Sequence, residues 1–283
     1  MADVVTYRCL SHEFSVRATR PSDEAAVSAA LAPFAIALDT EPATAYELRT
    51  DEGKFWLYVD DHGARMSEDP GEPLDLLFWF VGENIVRDES HRVILHAGAV
   101  VGRDGRALLL PGPSGSGKST TTLGLIGAGM RYLSDEFAAI DPGTGLVAPF
   151  PRPLAIKHGS RRLMPHLDGL AVSAPTSGRT TVHVPVERLG GEAATVATEP
   201  GWVVFPTYVE GATTELTPLT PGETCMDLLR CTFRLSDRPL EALRVMADTA
   251  RRSRGFRLQV GDLAEAVKVL SDLTTPSPSK QED

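Results

Sequence analysis

The decapeptide PGPSGSGKST, Pro111 to Thr120, constrains this chain more than any other stretch. Gly112, Gly117, Lys118 and Ser119 fill the fixed positions of G-x-x-x-x-G-K-[ST], with Pro113, Ser114, Gly115 and Ser116 between them. Such a loop needs an apolar strand before it and a helix after it. Both are legible. RALLLPG is a strand that runs into the loop, and KSTTTLGLIGAGM is helical, with Leu123, Ile126 and Met130 to one side and Gly127 and Gly129 near its end. The chemistry of the pattern is anion binding. Glycines turn the chain with positive φ and leave backbone N–H groups uncovered. Those groups and the helix N-terminus form a nest for phosphate, continued by the amide of Thr120. Lys118 supplies charge for β- and γ-phosphates, and Ser119 a hydroxyl for Mg2+.

The strand before the loop has a neighbour. HRVILHAGAVVG is itself a strand, and Arg103-Asp104-Gly105 joins it to RALLLPG as a tight hairpin. Asp135 and Glu136 follow Lys118 by 17 and 18 residues, after one helix and one short strand. If that strand lies beside the loop-bearing one, it brings the pair to the loop's end of the sheet. One carboxylate then serves the metal and the other accepts the proton of an attacking hydroxyl, as phosphoryl transfer requires. The first reading makes Asp135 the base and Glu136 the metal partner. His96, on the preceding strand, fits either a hydrogen-bonded core position or a place near the phosphates. Arg152 and Lys157 in PRPLAIK are candidates for the further cations that the transition-state charge calls for. Arg161 and Arg162 read as solvated helix residues, and RRSRG, 251–255, as charge that complements a helix end.

The rest of the chain sets the frame. With 283 residues there is enough chain for one large domain or two small ones. A net charge of −10 argues against a general nucleic-acid or membrane-surface binder. Of 28 basic residues only five are lysines, so Lys118 and Lys157 stand out. Three cysteines form no disulfide framework or zinc spacing, and Cys225 and Cys231 read as buried thiols on a helix. His158, His166 and His183 lack metal-ligand spacing. No apolar segment is long enough to span a bilayer, MADVVTYRCLSHEF lacks a signal core, and a cytoplasmic location is expected.

Residues 1–90 read as a small α/β region. It comprises TYRCLSHEFSVRAT as a strand pair or one bent strand, a hairpin about Asp51-Glu52-Gly53, and PLDLLFWFVGENIVRD as a helix with Phe78, Trp79 and Phe80 in the core. A second hairpin is expected at Asp141–Gly145. Residues 151–220 read as short strands and loops. TPGETCMDLLRCTF and RPLEALRVMADTARRSR read as helices, FRLQV as a strand, and DLAEAVKVLSDL as a helix capped by Asp262. The last ten residues, 274–283, read as a disordered tail.

The stretch LHAGAVVGRDGRALLLPGPSGSGKSTTTLGLIGAGMRYLSDEFAAI resembles the kinase domain of HPr kinase/phosphorylase and is similar to the nucleotide-binding part of phosphoenolpyruvate carboxykinase. In that family a His-bearing strand and a hairpin precede the P-loop, and a strand ending in an acidic pair follows the helix. His96, Gly112 to Ser119, Asp135 and Glu136 fall on those positions, with Asp-Glu here for the family's usual Asp-Asp. The substitution leaves open which carboxylate is base and which serves the metal. FPRPLAIKHGS and WVVFPTYVEGATTELTPLTPGETCMDLL look like HPr-kinase-related proteins of peptide-modifying gene clusters, some of which phosphorylate a serine of a ribosomally made precursor, lasso-peptide precursors among them. The second signature of the HPr kinases is missing.

The resemblance implies an α/β P-loop kinase core with a mixed sheet over residues 91–273, preceded by a substrate-positioning region over 1–90. It implies Mg-ATP as cofactor and a peptide or small protein bearing a serine as partner, with no nucleic acid and no membrane. Assembly stays open, since HPr kinases are hexamers but their contact surfaces are not traceable here. A small-metabolite kinase and a non-catalytic nucleotide-binding regulatory module remain alternatives.

Overall fold

The computed structural model describes residues 5–37, 42–69, 72–157, 165–172 and 181–275. It is a mixed α/β structure in two units: Met1–His91 with Arg152–Leu189, and Arg92–Pro151 with Gly190–Asp283. Residues 152–189 therefore group with the N-terminal region, although the sequence assigned them to the kinase-like part. Arg161 and Arg162, the His158 and His166 side chains and residues 276–283 lie outside what is described. No described helix is long and apolar enough to cross a membrane.

The first unit carries β1 (Thr6–Cys9), β2 (His12–Ala18), α1 (Pro21–Leu31), β3 (Ala35–Ile36), β4 (Thr44–Asp51), β5 (Lys54–Val59), β6 (His62–Ser67) and α2 (Glu72–Asp88). The strands form one sheet in the order β3-β1-β2-β4-β5-β6. TYRCLSHEF is thus a strand pair, and the hairpin at Glu52-Gly53 is present, both turn residues having positive φ. Phe78 is buried as expected. Trp79 is 56% exposed, contrary to expectation, and Phe80 is half-buried, because three consecutive residues span 200° of a helix and cannot share its buried face. Two later strands, β12 (Leu154–Ile156) and β13 (Val182–Val184), pair with each other. They are tied to α2 through His183, which bonds Asp75 and packs its ring 4.7 Å from that of Phe78.

The second unit is built on β7 (Val93–Val101), β8 (Ala107–Pro111), α3 (Lys118–Gly127), β9 (Arg131–Ser134), β10 (Phe137–Ile140), β11 (Val147–Ala148), β14 (Pro200–Tyr208), β15 (Glu215–Leu219), α4 (Pro221–Arg230), α5 (Pro239–Arg252), β16 (Arg254–Val260) and α6 (Leu263–Leu273). The sheet order is β11-β10-β7-β8-β14-β16-β15, with β9 also on β7. The 103–105 hairpin joins β7 to β8 antiparallel, and the 141–145 hairpin joins β10 to β11. The central nine-residue β14 was not expected in a stretch read as short strands and loops. It runs parallel to β8 and β16 and carries Pro206 in its interior.

Alternation assigns the two faces. Val93, Leu95, Ala97, Ala99 and Val101 share a core with Leu228 of α4 and Ala242, Val245, Met246 and Ala250 of α5. On the other face Gly98 meets α3, and a Cβ there would lie 2.5 Å from Thr122 Oγ1. The Trp202 indole N–H donates to the Leu273 carbonyl at the end of α6 (3.0 Å). Helix ends are set locally. Thr220 and Glu223 form a capping box on α4, and Asp262 caps α6 as expected. Arg252, in the last turn of α5, donates to the Thr144 carbonyl (3.3 Å).

Candidate functional site

The end of β9 and the whole of β10 follow one register on β7, with a β-bulge just upstream, where Tyr132 pairs with Val100. Ser134 pairs with Ala99 and Phe137 with His96, so the residue numbers sum to the same value on both sides of the gap. They are one strand interrupted at Asp135 and Glu136. The cause of the interruption is Ser134, whose hydroxyl accepts the N–H of Glu136 (3.3 Å) and of Phe137 (3.1 Å). The ladder survives through the Glu136 carbonyl, which takes the Ala97 N–H (3.1 Å). The acidic pair therefore breaks the strand without leaving the sheet.

The kink gives the two carboxylates different surroundings. Asp135 is 1% exposed, and Oδ1 accepts the Tyr132 hydroxyl at 3.1 Å. The Glu136 side chain is 35% exposed and stands 3.4 Å from His96 Nε2. In β7 every side chain is buried except that of His96. Its backbone is held twice: N–H to the Cys231 carbonyl (2.8 Å) and carbonyl to the Gly112 N–H (3.2 Å). Its ring centroid lies 5.7 Å from that of Phe233. The segment after α4 thus forms one wall beside His96, which the sequence did not reveal. Cys225 and Cys231 are half-buried rather than fully buried, and burial raises both thiols above the usual cysteine value.

The glycine loop begins where β8 ends beside His96. A side chain at Gly112 would place its Cβ 2.8 Å from Ser116 Oγ and would displace that hydroxyl. Gly117 takes φ +100° as the N-cap of α3, offering no side chain to the first-turn amides. Such amides have no acceptor within their own helix and suit an anion. Lys118 is buried, its Nζ donating to the Gly112 and Pro113 carbonyls at 2.8 Å each, so the ammonium bends back over the loop. Ser119 and Thr120 are half-buried in the first helical turn.

His96, Asp135, Glu136 and residues 112–120 therefore lie in the second unit around the point where β8 ends against the middle of β7. Arg152 and Lys157 belong to the first unit. Arg152 is buried with its guanidinium 5.8 Å above the Phe78 ring, and Lys157 is exposed at the end of β12. Tyr132 was missed as the partner of Asp135. Regular alternation puts residues 132 and 135 on opposite faces, and the β-bulge between Tyr132 and Ser134 returns them to one face. That bulge depends on the ladder with β7, and no local sequence signal marks it.

No protein-family model matches the chain, and no curated protein matches it significantly.

Proposed function

We propose that this protein is a Mg-ATP-dependent phosphotransferase that passes the γ-phosphoryl group to a hydroxyl, with a serine of a peptide or small protein as the acceptor. One observation carries the reading: the His96 carbonyl holds the first residue of the glycine loop while its side chain meets Glu136, so an anion cradle and a carboxylate share a single strand position. The family resemblance of residues 95–140 supports the same class.

In this reading the loop amides and Lys118 hold the β- and γ-phosphates. Ser119 and Asp135 are the oxygen donors suited to Mg2+. A hard cation that keeps waters and phosphate oxygens needs only one or two protein oxygens, and no cluster of three acidic, histidine or cysteine side chains occurs among the described residues. When bound, Mg2+ neutralises charge on the phosphates. In this reading the buried Asp135 serves the metal and the more exposed Glu136 takes the acceptor's proton, the reverse of the roles first expected. The serine Oγ forms a bond to the γ-phosphorus, the bond to the β-phosphate oxygen breaks, and the proton passes to Glu136. The products are ADP and a phosphoserine. Positioning and charge neutralisation supply most of the rate.

The test is transfer from γ-labelled ATP with Mg2+, offered to peptides encoded beside the gene and to free serine. Label on a peptide serine is the expected result. Label on free serine alone moves the acceptor to a small metabolite. Tight ATP binding with no labelled acceptor makes the protein a regulatory nucleotide-binding module. Glu136→Gln should lower transfer by about 100-fold or more with ATP affinity unchanged, whereas Asp135→Asn should also raise the Mg2+ concentration needed.

A further inference from the structure

We infer that Tyr208 is the platform on which the nucleotide base stacks. The inference rests on the nucleotide-binding reading of the glycine loop and adds a residue on its far side.

β14 pairs with the edge of β8 opposite β7. The loop rising from β8 is therefore flanked by the His96–Glu136 side on one hand and by the end of β14 on the other. Tyr208 is the last residue of β14, and its N–H donates to the Ser116 carbonyl within the loop (3.2 Å). A Cβ built on Gly117 would lie 3.8 Å from the Tyr208 Cβ, so the tyrosine stands directly beside the turn that starts α3. The strand's alternation gives its face. Val203 packs into the core with α5, while Trp202 reaches α6, and Tyr208 shares the parity of Trp202. Tyr208 thus rises on the α3 side of the sheet, the side where the first-turn amides of α3 begin.

A triphosphate laid over the loop with its γ end toward Glu136 must lead its other end away from β7, toward β14. What emerges there is the sugar and base. Tyr208 is 55% exposed, and it is the one exposed aromatic among the described residues of this unit. Val209, also exposed, follows it, with its N–H held by the Val260 carbonyl (3.0 Å). An open aromatic ring on a backbone fixed to both the loop and a neighbouring strand is a preorganised surface for a flat, weakly hydrated ring system. Stacking of this kind tolerates any base, because every base has a π-face. Tyr208 therefore supplies affinity for ATP and GTP alike and does not discriminate between them.

The experiment compares the full chain with Tyr208→Ala, Tyr208→Phe and Tyr208→Trp by calorimetric titration with Mg-ATP, Mg-GTP and inorganic tripolyphosphate. Tripolyphosphate occupies the loop but has nothing to stack. The expected result is that Tyr208→Ala weakens ATP and GTP by roughly tenfold to a hundredfold. Tripolyphosphate affinity stays within about twofold, Tyr208→Phe behaves as wild type, and Tyr208→Trp fluorescence is quenched by ATP but not by tripolyphosphate. Unchanged ATP affinity in Tyr208→Ala overturns the inference. Equal loss of ATP and tripolyphosphate also overturns it and makes Tyr208 a support of the loop. If the wild-type chain binds neither ligand, the nucleotide-binding reading itself fails, and this inference falls with it.

Discussion

His96 Nε2 stands 3.4 Å from Glu136 Oε1, and the backbones of the two residues are neighbours on one ladder, with His96 paired to Phe137. The contact joins two strands where the glycine loop begins. If Glu136 accepts the acceptor's proton, His96 orients that carboxylate. His96→Ala should lower kcat about tenfold, roughly 1.4 kcal/mol of lost positioning, and leave KM for ATP nearly constant. Initial-rate kinetics at varied ATP check this, and a pure KM effect counts against the role.

Lys118 holds the loop as well as any ligand, through the Gly112 and Pro113 carbonyls. Lys118→Ala should reduce phosphoryl transfer by about 100-fold or more. Far-ultraviolet circular dichroism should stay unchanged, since α3 starts from the Gly117 turn rather than from the lysine. A variant with full transfer activity would remove Lys118 from the site.

The face between β7 and α3 is set by Gly98 and Thr122. Gly98→Ala drives a methyl to 2.5 Å from Thr122 Oγ1 and should cost about 1–3 kcal/mol. Thr122 Oγ1 is buried with no hydrogen-bond partner, so Thr122→Ala should be neutral or mildly stabilising. The double variant should regain most of the lost stability, because the clash is with the hydroxyl and the Thr122 Cβ would be 3.7 Å away. Urea denaturation of the four proteins closes the cycle, and additive effects would contradict the contact.

The first unit carries a titrating core group. His12 bonds Asp88 through Nδ1 (2.9 Å) and the Tyr46 hydroxyl through Nε2 (3.2 Å). Burial holds its imidazole below the usual histidine value, outweighing the pull of Asp88 in the other direction. The unfolded chain therefore binds more protons than the folded one below about pH 6.5. Its contribution to stability is fully present above that pH and is lost as the pH falls through the depressed folded value. Thermal melts should show Tm level above about pH 7 and falling below about 6.5, with the dependence flattened in His12→Gln. An equal slope in both proteins would assign the dependence elsewhere.

Much of the local structure was legible in the sequence because local chemistry sets it. The 52–53, 103–105 and 141–145 turns, the Asp262 cap and the helix after Lys118 each depend on a few adjacent residues. The acidic pair was expected on a strand beside the loop-bearing β8, but β9 and β10 pair with β7 instead, so the pair reaches the loop only across His96. What stayed hidden depends on distant partners. β14 was obscured by its prolines and glycine, and only its place between β8 and β16 makes it a strand. Which carboxylate is buried depends on the register of β9 and β10 on β7 and on the bulge in it. The exposure of Trp79 depends on which helical face meets the sheet.

The grouping of residues 152–189 with the first unit has a practical consequence. The second unit's chain departs after Pro151, next to Phe150, whose N–H donates to the Leu133 carbonyl (2.8 Å), and resumes at Gly190, just before Glu192, whose carbonyl accepts the Tyr132 N–H (2.8 Å). Both ends of the excursion are pinned to consecutive residues of β9. Topologically, 152–189 is an insertion spliced into the second unit's sheet at one point. Cutting the chain at residue 91 therefore isolates neither unit. Excising 152–189 with a short glycine linker, together with residues 1–91, would leave the second unit's ladder unbroken.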